Sequence, residues 1–212
     1  MTDPADRTIG LYDDKAEGWI ADRGPALGGS GKSIDEVEAL ERFAAALPKG
    51  GTVLDVGCGS GWPWGAALLD RGFRVTGIDA APRLVDHAAQ TLPDGEWVVD
   101  DMRSVDLGRT FEGLLIWPSM FHLTLGDQSR AIERILAHSY ASSVLMMTIP
   151  AEASVSIGAW SGEPLFHASL GAPLYMDTLA KAGFTQVQLD SGTTSERASA
   201  WMFRRRSVKP TS

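Results

Sequence analysis

The run Thr52-Val53-Leu54-Asp55-Val56, followed by Gly57-Cys58-Gly59-Ser60-Gly61, restricts this chain more than any other stretch. Apolar and β-branched residues without a helical period lead into three glycines at alternate positions, and helix-compatible sequence resumes at Trp62. That order reads as strand, glycine turn, helix. Glycine admits positive φ and carries no Cβ, so the turn can be sharp and a ligand can lie directly on main chain. A glycine turn at the carboxyl end of a strand is the outline of a nucleotide site in an α/β sheet.

A dinucleotide fingerprint needs glycines at the first, third and sixth positions of the turn, which here are Gly57, Gly59 and Trp62. The third glycine is absent. Val-Leu-Asp-Val-Gly-Cys-Gly-Ser-Gly instead resembles motif I of the class I S-adenosylmethionine (SAM) dependent methyltransferases. The resemblance implies SAM as cofactor, with Asp55 near its amino group and Gly57, Cys58, Gly59 and Gly61 passing beneath it. Phe73 to Asp79 reads as a second strand, one βαβ span further on, with Asp79 at its carboxyl tip. A carboxylate there can accept from both ribose hydroxyls. Ala80 beside it joins the expected cofactor contacts.

The amino-terminal segment, residues 1–33, has little periodicity, but Tyr12 and Trp19 lie seven positions apart and suit one face of a short helix. Small-molecule members of the same family begin with a similar Tyr-Asp-x-x-Ala-x-x-aromatic segment that folds over the cofactor, which implies that Tyr12 and Trp19 line the pocket. Ala26 to Ser33 nearly spells a phosphate-binding loop, yet Ala26 replaces its first glycine and no strand precedes it. It reads as a loop whose Ser33 caps the next helix, with Glu36 completing a capping box. That helix, about residues 34–47, places Ile34, Val37, Leu40, Ala44 and Leu47 on one stripe.

Further helices are expected from Trp62 to Asp70, from Pro82 to Leu92 with Leu84, Val85, Ala88 and Ala89 inward, from Asp127 to His138, and from Pro173 to Ala182. His138 would meet the last of its helix's carbonyls as a favourable charge. Strands are expected at Glu96–Val99, Phe111–Trp117 and Ser143–Ile149, and two last ones at Phe184–Leu189 and Ala198–Arg204, whose short link demands antiparallel pairing. The family resemblance assigns an adenine-binding acid after the third strand, and Met102 next to Asp101 makes Asp101 the match. Trp117, ending the fourth strand, joins the cofactor contacts. The whole reads as an α/β, Rossmann-like three-layer sandwich with a mostly parallel seven-stranded sheet and a carboxyl-terminal antiparallel hairpin, one domain over residues 1–212 with its core at 34–206 and a tail at 207–212.

Ligands of open α/β sheets sit beyond the carboxyl ends of strands where the strand order reverses, here between the first and fourth strands. Residues after the fourth strand therefore face the acceptor, and His122 is a candidate general base. Pro150 to Gly171 is a long insertion whose aromatic content argues against disorder. It is the expected substrate cover, with Trp160, Glu163 and Phe166 as contacts and His167 as a second candidate base. Bacterial members of the family pair a Phe-His after the fourth strand with a Glu-Pro-Leu-aromatic-His in the insertion, and Phe121-His122 and Glu163 to His167 repeat both.

A net charge of −8 argues against an extended nucleic-acid surface, and the basic cluster Arg204-Arg205-Arg206 with Lys209 reads as a strand end and solvated tail. No apolar run reaches a membrane span, and the amino terminus lacks a basic stretch followed by an apolar one, so a cytoplasmic protein is expected. One cysteine, Cys58, leaves no internal disulfide and no multi-cysteine metal site. The expected function is methyl transfer from SAM to a small-molecule acceptor. An NAD-dependent oxidoreductase and a SAM-binding module without transferase activity are the alternatives.

Overall fold

A computed structural model of the chain describes residues 3–23, 35–187 and 199–206. In chain order these form α1 (Pro4–Asp14), α2 (Ala16–Arg23), α3 (Asp35–Ala46), β1 (Thr52–Val56), α4 (Trp64–Asp70), β2 (Arg74–Asp79), α5 (Pro82–Thr91), β3 (Glu96–Val99) and β4 (Phe111–Ile116). A 3-10 turn (Met120–His122) follows, then α6 (Leu125–Ala137), β5 (Ser139–Ile149), β6 (Ala153–Trp160), β7 (Glu163–Leu170), α7 (Ala172–Lys181), β8 (Phe184–Val187) and β9 (Ser199–Arg205).

Seven strands form one sheet in the order β3-β2-β1-β4-β5-β9-β8, parallel except for β9, which runs antiparallel to both β5 and β8. Alternate residues of each central strand enter opposite cores, as the pleat requires. Val53, Leu115 and Met146 pack with Leu40 and Phe43 of α3 and Leu68 of α4. Leu54, Leu114, Ile116 and Met147 pack with Ile132 and Ile135 of α6 and Leu179 of α7. Both faces are covered, which is why these strands read as nearly unbroken apolar runs. The order reverses between β1 and β4, and the crevice beyond their carboxyl ends is where the chain's functional groups converge.

Several elements differ from the sequence reading. The insertion at 150–171 is a second, two-stranded antiparallel sheet, β6 with β7, in register from Ala153↔Leu170 to Trp160↔Glu163. Five of the eight residues of β6 are Ser, Gly or Ala and Pro164 interrupts β7, so the strand signal was weak. The amino-terminal segment folds as two helices rather than one, the first capped by Asp3, whose side chain accepts from Ala5 N. Helix α4 starts at Trp64, with Pro63 at the cap where its missing N–H costs nothing. In α3 the buried stripe is Ala39, Leu40, Phe43 and Leu47, while Val37 is 42% exposed; Ile34 and the expected cap at Ser33 lie outside the described residues, as does the Ala26–Ser33 loop. Ala89 of α5 faces outward.

His138 caps the carboxyl end of α6. It is buried, its Nε2 accepts from Leu107 N at 2.9 Å and its Nδ1 reaches Arg134 O at 2.9 Å, so it links α6 to the loop before β4. Arg204 and Arg205 form the end of β9, as expected, and are tied down there: Arg205 donates to Ser139 O at 2.5 Å and Arg204 to Ala46 O at 3.1 Å. Lys209 lies outside the described residues. The hairpin is docked by Gln128 of α6, fully buried, which donates to Leu123 O and Ala168 O and accepts from Tyr175 Oη at 2.5 Å.

Candidate functional site

The glycine turn is held at the tip of β2 by Ile78 O, which accepts from Gly57 N at 2.8 Å and Cys58 N at 3.0 Å. Gly57 and Gly59 take φ of +72° and +56°, values that side-chain-bearing residues rarely adopt. Space is equally decisive. A Cβ on Gly57 would stand 2.3 Å from Cβ of Ser119, and one on Gly59 would stand 2.4 Å from Cη2 of Trp19. Gly59 N donates to Asp79 Oδ2 and Ala81 N to Asp79 Oδ1, both at 2.9 Å. The carboxylate at the end of β2 is thus fixed by main chain, with one further acceptor direction left on each oxygen.

Beyond the turn opens a cavity of about 770 Å³, its mouth included. Gly57 and Gly59 form its floor, Asp79, Asp100 and Asp101 one wall, and Tyr12, Trp19 and Arg23 of α1 and α2 its roof. The wall is acidic. Burial raises the pKa of Asp79, against the pull of the main-chain N–H groups around it. Asp55, 3% exposed behind the turn, is pushed up to about 7 by burial and by the neighbouring Asp79. Asp101 is held below the usual carboxylate range: Arg103, which donates to it at 2.5–3.0 Å, outweighs partial burial. Arg103 also donates to Asp6 at 2.7 Å, tying α1 to the cavity wall. Among the described lining residues Arg23 is the one permanent cation, its guanidinium 5.0 Å above the Trp19 ring.

At the other end, α1, the 3-10 turn and the hairpin bring five rings together. Tyr12 Oη lies 2.8 Å from His122 Nε2, and His122 Nδ1 lies 3.1 Å from Phe166 O. A carbonyl only accepts, so Nδ1 carries the proton and Nε2 accepts from the tyrosine hydroxyl. Burial lowers the His122 pKa to about 4, overcoming the Phe166 bond, and raises that of Tyr12 to about 12 despite Arg23. The pair is neutral over the physiological range. Trp160 sits 5.4 Å from Tyr12, Phe121 4.2 Å from His122, and His167 stacks on Phe121 at 5.1 Å.

Of the residues singled out by sequence, Tyr12, Trp19, Gly57, Gly59, Asp79, Ala80, Asp101, Met102 and His122 line the cavity. Gly61 instead faces Leu92 and Trp97, where a Cβ would come within 2.8 Å of each. Cys58 is buried among Asp55 and Asp79, and Trp117 packs on Trp64 with ring centroids 4.5 Å apart. Glu163 is exposed at the hairpin tip, opposite Trp160 in register, because the hairpin turn at Ser161-Gly162 carries it outward. Phe166 takes part through its carbonyl. Arg23 lines the cavity without having been anticipated; Ser119, in the stretch after β4 expected to face the acceptor, and Asp100, the weaker match beside Asp101, line it too. Asp100 was legible as an acid after a strand, whereas nothing local marks Arg23.

Residues 53–139 match the profile of a methyltransferase domain. Over 73 residues the chain is 44% identical to 2-methyl-6-phytyl-1,4-hydroquinone methyltransferase of Synechocystis sp., covering 32% of this chain and 23% of that protein. Over 77 residues it is 38% identical to an S-adenosyl-L-methionine-dependent Diels-Alderase of Neonectria sp., covering 34% and 31%. The chain therefore spans less than a third of either relative. In fold it is similar to magnesium protoporphyrin IX methyltransferase from Synechocystis PCC 6803, solved with bound SAM, at a TM-score of 0.71 and 14% identity over 97% of this chain and 98% of that one.

Proposed function

We propose that this chain, which carries a methyltransferase domain at residues 53–139 within a class I methyltransferase fold, transfers a methyl group from SAM to a small-molecule acceptor. The observation that carries the reading is the cavity itself: bare main chain at Gly57 and Gly59, a fixed Asp79 and an acidic wall at one end, opening onto the Tyr12–His122 pair at the other. The residues fit the cofactor. Asp79 keeps one acceptor direction on each oxygen for the two ribose hydroxyls. The carboxylates Asp55, Asp79, Asp100 and Asp101 suit a cationic ligand and oppose a diphosphate, which speaks against the NAD-dependent alternative.

When bound, SAM supplies an electrophilic methyl group on a positively charged sulfur. The chain's own task is alignment, exclusion of water and removal of a proton where the acceptor carries one. Alignment can account for on the order of 7–11 kcal/mol of such a barrier. His122 cannot take the acceptor's proton directly, because Nε2 is filled by the Tyr12 hydroxyl. The group that meets the acceptor is then the Tyr12 oxygen. It receives the acceptor's proton as its own passes to His122 Nε2, which leaves an imidazolium. One positive charge is lost from sulfur and one gained on the ring, so the buried site keeps its net charge. His167 and Trp160 do not line the cavity but pack on His122 and Tyr12, with ring centroids 5.2 and 5.4 Å away, and so hold the pair that meets the acceptor.

Titration calorimetry with SAM, S-adenosylhomocysteine and NAD, on the parent protein and Asp79→Ala, tests the reading. Micromolar binding of the first two, lost in the variant, is the expected result; binding of NAD alone overturns it. A second reading, a SAM-binding catalyst that moves no methyl group, draws on the occupied lone pair of His122 and on the Diels-Alderase relative. It predicts that SAM survives unchanged under every acceptor.

A further inference from the structure

The hairpin has one edge the fold does not use. Among the described residues β6 pairs only with β7, and Ala153 through Ala159 are all exposed, Val155 to 61% and Ile157 to 74%. Exposed edge strands are ordinarily guarded by charge, proline or a bulge. Ala153-Ser154-Val155-Ser156-Ile157-Gly158-Ala159-Trp160 carries no charge and no proline, and its ladder with β7 runs without a register shift.

The sequence of this edge is close to a palindrome about Ser156. If a second copy is laid antiparallel against it across a two-fold axis at Ser156, Val155 faces Ile157, Ser154 faces Gly158, Ala153 faces Ala159 and Ser156 faces itself. The apolar residues Ala153, Val155, Ile157 and Ala159 then share one face across the junction, and the serines the other. Charge agrees with this arrangement. Glu152, the acid preceding the strand, falls opposite Trp160 of the second copy, so like charges do not oppose each other. A two-fold interface requires one patch to be complementary to itself, and this one is.

We propose that a second copy of this chain pairs with β6 through its own β6, making a continuous four-stranded sheet centred on Ser156. The pairing braces the hairpin whose Phe166 carbonyl and His167 ring pack against His122 of the cavity. It stands independently of the reaction assigned to that cavity.

Sedimentation of the full chain at tens of micromolar, with the variants Ile157→Lys, Ser156→Cys and Ser154→Cys, tests it. The parent should run at twice the chain mass and Ile157→Lys at the chain mass, with circular dichroism unchanged because Ile157 touches solvent. Register is tested by oxidation. Two cysteines at position 156 would stand directly opposite, with Cβ atoms roughly 4.5–5.5 Å apart, close to disulfide reach. At position 154 they would be offset by four residues, about 13 Å, so Ser156→Cys should cross-link and Ser154→Cys should not. Native Cys58 is buried and takes no part. A monomeric parent, a dimer that survives Ile157→Lys, or equal cross-linking at both positions overturns the proposal.

Discussion

Asp55 should make the empty protein less stable as the pH rises through neutrality. Its carboxyl is 3% exposed, and burial together with Asp79 moves its pKa from 3.8 to about 7. Between those values the folded state holds a proton that the unfolded state has released, so unfolding free energy falls as pH increases. The stabilising share is fully present below about pH 4 and is lost as pH rises through about 7. At about 1.36 kcal/mol per unit the shift corresponds to about 4 kcal/mol, a large part of the 5–15 kcal/mol typical of a domain. Asp55→Asn keeps the shape and removes the charge. Urea unfolding of parent and variant at pH 5 and pH 8 should show the variant gaining roughly 2–3 kcal/mol on the parent between the two. Taking the difference between the two proteins cancels other groups, including His122, whose depressed pKa acts in the opposite direction below pH 6.5. If the two proteins show the same stability difference at both pH values, Asp55 is ionised in the fold and the electrostatic account of the cavity fails.

Gln128→Leu leaves Leu123 O, Ala168 O and the Tyr175 hydroxyl without their buried partner; at about 1–3 kcal/mol per orphaned group, the loss should exceed about 3 kcal/mol in urea unfolding and raise amide exchange in β7. Gly57→Ala meets both a φ of +72° and the Ser119 side chain at 2.3 Å, so a loss of at least 1–2 kcal/mol is expected, together with loss of cavity-ligand binding by calorimetry. Tyr12→Phe removes the donor that stabilises neutral His122; its imidazole should titrate above the parent's value of about 4, read by nitrogen-resolved NMR. Arg103→Gln cuts the ties from the cavity wall to Asp6 and Asp101 and should expose α1 to limited proteolysis with little change in the core's unfolding.

The parts of this fold that were legible are those in which chemistry repeats at short range. Thr52 to Gly61 announces strand and turn because the glycines are needed by local backbone geometry, and β4 and β5 announce burial because both faces of a covered parallel strand are apolar. The hairpin was hidden because only one of its strands is packed: β7 buries Leu165, Ala168 and Ser169, while β6 is exposed from Ala153 to Ala159 and its short alternation is carried mainly by small residues. Arg103 and Gln128 also act through partners far along the chain, Asp6 and Ala168, which no window around them marks. His122 was found by its position after β4, but its neutrality comes from burial, and its tautomer is set by Tyr12 and Phe166, 110 and 44 residues away. Sequence spacing can locate a titratable group; what it can do with a proton is decided by contacts that only the fold assembles.

The same acidic wall separates the two ends of the proposed reaction. SAM and S-adenosylhomocysteine share adenine, ribose, ammonium and carboxylate, and differ by the methyl group and the positive charge on sulfur. At pH 6 a proton neutralises much of Asp55, which lies behind the turn, and at pH 8 most of it is ionised and adds its charge to the field at the cavity. The preference for SAM over its product should therefore widen between these pH values in the parent and stay nearly constant in Asp55→Asn. Calorimetry of both ligands at both pH values reads this as a ratio, in which the shared contacts cancel. Binding of SAM near pH 6.5 should also release a fraction of a proton that the product does not, visible as a dependence of apparent enthalpy on the ionisation enthalpy of the buffer. A ratio independent of pH in the parent would mean that the sulfur lies outside the field of Asp55, and the carboxylates would then serve the ribose and ammonium alone.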